Sequence, residues 1–347
     1  MKVRVRELDY LRVFSMLAVI MIHVSSSYIF AESNFVFFGM NFAFILNQAS
    51  RFAVPSFVFI SGAALGLKEE NGGYFRQALP RSVKLLIPYI IWCALYCAKR
   101  GEPISPAGFA YGLLTGNFAS HLYFSIVILQ MYLLAPLLRK LLRKYSGWTI
   151  TAAAAISLYT QTAIDLGGKA QLVLLPLPFR GLMWELFPVW ILFFVLGLYL
   201  APKMTCLKTL RLRPGFLALA PALIAAGGVF YAFTRRAEGY KDSINPLIMG
   251  YWALVTVCIT APSSWLGRFK RLNKTVEFLA LRSMTVYFCH VLILKDLRDT
   301  GFFVQGMSGM AMLYIAVTVL SVAAAVLIDG AVAFIRKKVI FPDKHSA

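Results

Sequence analysis

Stretches of roughly 20 apolar residues, separated by short charged clusters, recur along the whole chain. A helix that is apolar on every side cannot face water, and about 20 residues rising 1.5 Å each match the hydrocarbon thickness of a bilayer. Ten candidate spans follow: 13–30, 42–67, 85–98, 121–138, 148–164, 183–200, 216–233, 246–261, 276–294 and 311–334. The third is short, and the second is long enough to tilt or to kink at Pro55. Apolar residues make up 59% of the chain and charged ones 14%, against roughly 25% charged in a soluble domain. The expected fold is therefore all-α: a polytopic integral membrane protein of about ten transmembrane helices. A cytosolic enzyme, a disordered chain and a secreted disulfide scaffold are excluded.

The 35 Lys and Arg against 15 Asp and Glu give a net charge of +20, which in a soluble protein would suggest nucleic acid. Here the cations sit between apolar runs, without a basic tail or an RNP-type motif, so no nucleic-acid partner is expected. With ten spans and a cytoplasmic N-terminus, 24 of the 35 fall on the cytoplasmic side and nine outside. Arg51 and Arg282 remain within or at the edge of spans. That asymmetry supports both termini being cytoplasmic. A basic start before an apolar run could pass for a signal peptide, but Glu7, Asp9 and the lack of a small-x-small site argue against it. With no repeat and no low-complexity linker, residues 1–347 read as a single transmembrane domain. Cys93, Cys97, Cys206, Cys258 and Cys289 form no CxxC pair and no metal spacing with His, so neither a structural disulfide nor a metal is expected.

Ionisable residues inside spans are costly and are functional candidates by default. Arg12 and His23 are eleven residues apart, a net rotation of only about 20° on a helix and a rise of about 16 Å. Asp9 lies about 40° to the other side of His23, and Ser26 and Ser27 follow it. An interfacial Asp9–Arg12 ion pair with a core histidine would be the plain reading; the shared stripe favours a functional one. In the ninth span, steps of four and three put Ser283, Tyr287 and His290 on one face. His121 opens the fourth span beside Tyr123 and Ser125, where an interfacial structural histidine fits equally well. Arg51, four residues before Pro55, needs a carboxylate, a carbonyl or a wet cavity, or else snorkels. Arg81 and Lys84 share one turn entering the third span, a place that positive-inside anchoring would also explain. Glu185 and Asp329 could simply neutralise an Arg, and His345 lies in the tail. No GxSxG, HExxH, P-loop or GxGxxG with a suitable acid is present, which removes support for hydrolase, metalloprotease and ATPase chemistry.

These residues resemble the acyltransferase-3 family of membrane enzymes that O-acylate surface carbohydrates. The R-x10-H motif is Arg12…His23, preceded by Asp9. The second-span block runs from Ala49-Ser-Arg51 through Pro55 to Ser61-Gly62, and the basic block is Arg81-Ser-Val-Lys84…Pro88-Tyr89. The His-Leu-Trp-Phe-Leu block stands as His121-Leu-Tyr123-Phe124-Ser125, with Tyr132 and Pro136 following, and S-x3-Y-x2-H as Ser283…Tyr287…His290. The blocks keep family order from about residue 6 to 298. Within the family the chain resembles the subgroups acting on enterobacterial common antigen and on staphylococcal poly-N-acetylglucosamine. Lys84 replaces a common Arg, and Tyr123 and Ser125 replace Trp and Leu. A lysine still binds phosphate, as a point charge rather than a fork.

The resemblance implies a bacterial plasma-membrane enzyme that takes an acyl group, expected to be acetyl, from cytoplasmic acyl-CoA. The acceptor would be a hydroxyl of an extracytoplasmic polysaccharide or its lipid-linked precursor. Membrane lipid and other polysaccharide-biosynthesis membrane proteins are the further partners. Arg12, Arg81 and Lys84 are the candidates for the CoA phosphates. His23 is the candidate base, and Arg51 or Tyr287 would stabilise the oxyanion. Ser283 and His290 would orient His23 or the acceptor, Asp9 belongs with Arg12, and His121 and Tyr123 join Arg51 at the acceptor. The rival is a secondary transporter or flippase of a lipid-linked saccharide. Ten spans and buried charge suit it equally, but it would favour inverted repeats and matched Gly/Pro-broken helices, and no such symmetry is found.

Overall fold

In hydrocarbon every backbone N–H and C=O has to be satisfied within the chain, and a helix does this segment by segment. The computed structural model describes residues 4–30, 35–68, 74–101, 103–166, 185–204, 214–236, 245–302 and 304–335, and it is almost entirely helical. In chain order it contains α1 (Arg6–Ser26), a short hairpin β1 (Val36–Phe37) and β2 (Met40–Asn41), α2 (Phe42–Ala49), α3 (Ala53–Gly66), α4 (Tyr74–Arg100) and α5 (Pro106–Thr115). There follow α6 (Tyr123–Leu166), α7 (Ile191–Met204), α8 (Pro214–Arg236), α9 (Ile248–Leu266), α10 (Lys270–Asp299) and α11 (Gly306–Ile335). Lys2, Lys169, Arg180, Cys206, Lys208, Arg211, Arg213, Lys241, Arg336, Lys337, Lys338, Lys344 and His345 lie outside the described residues.

Every expected span overlaps a helix. Among the described residues, six helical segments are long and apolar enough to cross a membrane: Arg6–Ser26, Phe42–Gly66, Ala78–Arg100, Tyr123–Leu166, Lys270–Asp299 and Gly306–Ile335. Ile191–Met204 and Ile248–Ser263 are shorter apolar helices. The count of ten and the sidedness of the termini go beyond these findings. Three boundaries differ from expectation for physical reasons. The second span is interrupted by a 3-10 turn at Ser50–Phe52, before Pro55 rather than at it. Pro55 then sits in the first turn of α3, where a missing N–H costs nothing. The third span is not short: α4 carries Arg81 and Lys84 on its own surface, and Lys and Arg are good helix formers. The fourth and fifth spans run together as α6, broken only by the non-helical backbone of Tyr145 (φ −140°, ψ 54°) after the Arg139–Lys144 charges.

The first span is the hub: α1 packs against α2, α3, α9, α10 and α11. The closest helix pair is made by glycines. A Cβ on Gly62 of α3 would lie 2.2 Å from the Phe194 carbonyl oxygen of α7, and one on Gly197 of α7 would lie 2.1 Å from that of Phe59. Small residues let membrane helices approach backbone to backbone in this way. By contrast α11 turns Ile315, Val319 and Leu327 outward, as a lipid-facing helix does.

Candidate active site

Three elements bring three histidines together. His23 comes from the last turn of α1, and His290 is buried on α10. His121 arrives on the turn between α5 and α6, two residues before α6 rather than within it. That turn is built locally. Ser105 caps α5 by accepting from the Gly108 N–H (3.0 Å), with Pro106 next to it. Gly116 ends the helix at φ 70°, where a Cβ would lie 2.7 Å from the Tyr123 nitrogen, so only glycine lets the chain fold back there. The His23 ring lies 5.1 Å from His290 and 5.9 Å from His121, and His121 and His290 are 5.0 Å apart between centroids.

His290 has a defined tautomer. Its Nδ1 faces the carbonyl oxygens of Tyr287 (2.7 Å) and Val286 (3.2 Å). Carbonyls only accept, so Nδ1 carries the proton and Nε2 presents a lone pair. That Nε2 is buried, with no hydrogen-bond partner among the described residues. Tyr287 packs 5.1 Å from His121, and its hydroxyl donates to the His121 carbonyl. Tyr96 of α4 supports the same place: its hydroxyl donates to the Phe288 carbonyl (2.8 Å) and accepts from the Leu292 N–H (3.0 Å). An uninterrupted α-helix would join that pair directly, so Tyr96 enters the α10 ladder beside His290.

Of the three histidines, His23 and His121 border one of two adjoining cavities, with His290 behind them. The larger, about 590 Å³, is lined by His23, His121, Arg51, Tyr123, Glu185 and Ser26 among others. The smaller, about 290 Å³, is lined by Arg12, Ser61, Ser125, Tyr132 and Ser283 together with apolar side chains. Phe57, Phe124 and Tyr287 line both. The sequence placed Arg12 and His23 on one stripe, and the structure puts them in different chambers on either side of this ring layer.

Arg51 is held by a residue the sequence reading passed over. Asn47 Oδ1 accepts from Arg51 Nε (3.3 Å) and Nη2 (3.0 Å). The Asn47 amide donates to the Ile22 carbonyl (2.8 Å) and to Ser25 Oγ (3.3 Å). One buried amide thus ties the guanidinium to the turn of α1 that carries His23. An amide four residues before an intramembrane Arg was a readable i,i+4 signal. Tyr96 left no comparable signal among the many aromatics of its helix.

The remaining expected site residues divide. Ser283 and Tyr287 join the cavities as described. Asp9 lines neither; it is nearly buried, 2.7 Å from Arg4 Nε and 3.8 Å from Arg12 Nη1, so Arg4 is its nearer partner. Arg81 lines neither cavity, although its charge, like that of Arg12, acts on Tyr132 of the smaller one. Lys84 is exposed and lines neither cavity. Asp329 lies 3.8 Å from Arg282, as a neutralising acid would. Cys93, Cys97, Cys258 and Cys289 are free. Although three histidines meet, no set of three His, Cys, Asp or Glu among the described residues is arranged to hold a metal ion.

Among curated proteins and among solved structures, none matches the chain. A family model does, over residues 5–330, and its description is an acyltransferase domain. The match takes in both cavities and every histidine of the cluster, and it points to a membrane acyltransferase without singling out a subgroup. The chain belongs to the acyltransferase-3 family.

Proposed function

We propose that the protein is a membrane O-acyltransferase. It moves an acyl group, acetyl by preference, from cytoplasmic acyl-CoA to a hydroxyl of an extracytoplasmic surface polysaccharide or its lipid-linked precursor. The observation that carries this reading is the pair of adjoining cavities, one with cations and hydroxyls and the other with histidines and Arg51. Two substrates of different chemistry, approaching from opposite sides, need such a pair; a bare passage for one solute does not.

In this reading Arg12 and Arg81 draw the CoA phosphates to the mouth of the smaller cavity, with Lys84 adding charge outside. Asp9 keeps the Arg4–Arg12 cluster in place. Ser283 and Ser125 hydrogen-bond the thioester end. His23 takes the proton from the acceptor hydroxyl, the oxygen attacks the thioester carbonyl, and the C–S bond breaks. The thiolate then takes a proton and leaves as CoA. Tyr287 or Arg51 stabilises the oxyanion formed between these steps. His290, its lone pair directed away from its backbone bonds, orients His23 or the acceptor, while His121, Tyr123 and Arg51 hold the sugar.

The test is release of CoA from acetyl-CoA by the purified protein in liposomes, with and without surface polysaccharide. Acceptor-dependent release should fall by about 10²–10⁴ in His23→Ala, in protein that still inserts and melts normally. Wild-type release in that variant removes His23 from the chemistry. Folded wild-type protein that releases no CoA from acetyl-CoA or succinyl-CoA refutes the enzyme reading and favours a saccharide transporter.

A further inference from the structure

Phe57, Phe124 and Tyr287 form a continuous layer. The rings of Phe57 and Phe124 are 6.1 Å apart, and those of Phe124 and Tyr287 are 5.6 Å apart. Each ring faces both cavities. The layer separates Arg12 and Ser283 on one side from His23 and Arg51 on the other. Its members are not held alike. Tyr287 is fixed by its hydroxyl bond to the His121 carbonyl, whereas a phenylalanine ring has only dispersion contacts to hold it.

We propose that this aromatic layer is a specificity-determining partition, with Phe124 its movable leaf, that reserves the acyl group for the acceptor and denies it to water. The proposal rests on the acyltransferase reading. The histidine cavity is the larger chamber and carries Arg51, Glu185, His23 and His121 on its wall, groups that water can solvate when the acceptor is absent. A thioester open to that chamber would meet water beside His23 and His121. Its C–S bond would break, a water oxygen would bond to the acyl carbon, one water proton would pass to sulfur to give the CoA thiol, and the free acid would leave. Phe124 borders both the chamber with Arg12 and the chamber with His23, so a carbonyl passing from one to the other would meet its ring. Its displacement by bound acceptor would bring the carbonyl and the base together only when a hydroxyl occupies the place of water.

Two measurements test this. In the first, acetyl-CoA is supplied without acceptor and CoA release is followed in wild type, Phe124→Ala and Phe57→Leu. The expected result is at least a tenfold rise in acceptor-independent release in the variants, abolished by adding His23→Ala. Release that stays dependent on acceptor in both folded variants overturns the proposal. The second needs no activity. Ser61 lines only the smaller cavity, and Ser61→Cys is introduced where Cys93, Cys97, Cys206, Cys258 and Cys289 have been replaced. A membrane-impermeant thiol reagent should label it from one face of the membrane, and from both faces once Phe124→Ala is added. Labelling from both faces with Phe124 intact, or from one face only in its absence, overturns the partition. A wild-type protein that turns over no acyl-CoA defeats the enzyme reading instead, and the labelling still decides the partition.

Discussion

Asn47 offers the sharpest test of how the site is held. It is buried, accepts two hydrogen bonds from Arg51 and donates to the Ile22 carbonyl next to His23. A neutral buried hydrogen bond contributes about 1 kcal/mol, and one to a charged group about 1.5–3 kcal/mol. Counting the forked contact to Arg51 as one charged interaction and the bond to Ile22 as one neutral interaction, Asn47→Ala removes about 2.5–4 kcal/mol from a single point. Where Arg51 serves the transition state, that loss appears in kcat as a fall of roughly 10²-fold, at 1.4 kcal/mol for each tenfold. Asn47→Asp separates the two halves of the role. Its carboxylate still accepts from the guanidinium but cannot donate to Ile22, so kcat should recover to within about tenfold of wild type. The acyl-CoA KM should hardly move in either variant, because Asn47 borders the histidine cavity and not the one that contains Arg12. The assay is steady-state CoA release with saturating acceptor, beside a melting curve in the same detergent. A folded Asn47→Ala protein with kcat within threefold of wild type would refute the argument.

Other expectations concern how the scaffold is held. Gly62→Ala puts a methyl group 2.2 Å from the Phe194 carbonyl oxygen, an overpacking that costs about 1–3 kcal/mol and should lower the melting temperature; an unchanged melt would mean that α3 and α7 part easily. Tyr96→Phe deletes the hydroxyl between Phe288 and Leu292, a loss of about 1–2 kcal/mol. It should also speed amide exchange in α10 around His290, and unaltered exchange there counts against Tyr96 bridging that ladder. Arg235 is fully buried, 2.7 Å from Asp165, so Asp165→Ala should cost about 3–5 kcal/mol. The double variant Asp165→Ala with Arg235→Met should regain much of that loss, as thermal melting can show.

Much of the architecture was legible because hydrocarbon imposes a simple rule: long apolar runs become helices. Those runs located the long helices among the described residues, though not the short α5, and the residues that broke the rule (His23, His121, His290 and Arg51) are ones the fold gathers. What escaped was anything set by contact across the chain. The spacing of Asp9 and Arg12 suggested an ion pair between them, yet Arg4 is the nearer partner because α1 begins at Arg6 and lets the preceding backbone turn over Asp9. The turn carrying Arg81 and Lys84 was expected at the entry of a short third span, whereas the helix already begins at Tyr74, because apolar length alone does not count the charged turns that precede it. Asn47 and Tyr96 act through the backbones of other helices. Phe57 and Phe124 look like ordinary core residues until two cavities are found on their opposite sides.

One face of α1 carries the geometry of the site. Arg12 lines the smaller cavity, while Val19, His23 and Ser26 line the larger. The steps of seven, four and three between them return to one side of a helix each time. Rotation alone would therefore allow a histidine at position 19 as well as at 23. Depth distinguishes them: the eleven-residue step sets the imidazole about 16 Å from Arg12, at the level where α10 brings His290 and the α5–α6 turn brings His121. A histidine one turn earlier would stand nearer the aromatic layer, away from the carbonyl of Ile22 that Asn47 uses to hold Arg51. The spacing thus fixes more than a shared face. It matches the separation between a guanidinium that lines one chamber and an imidazole that lines the next, with a layer of three rings between them.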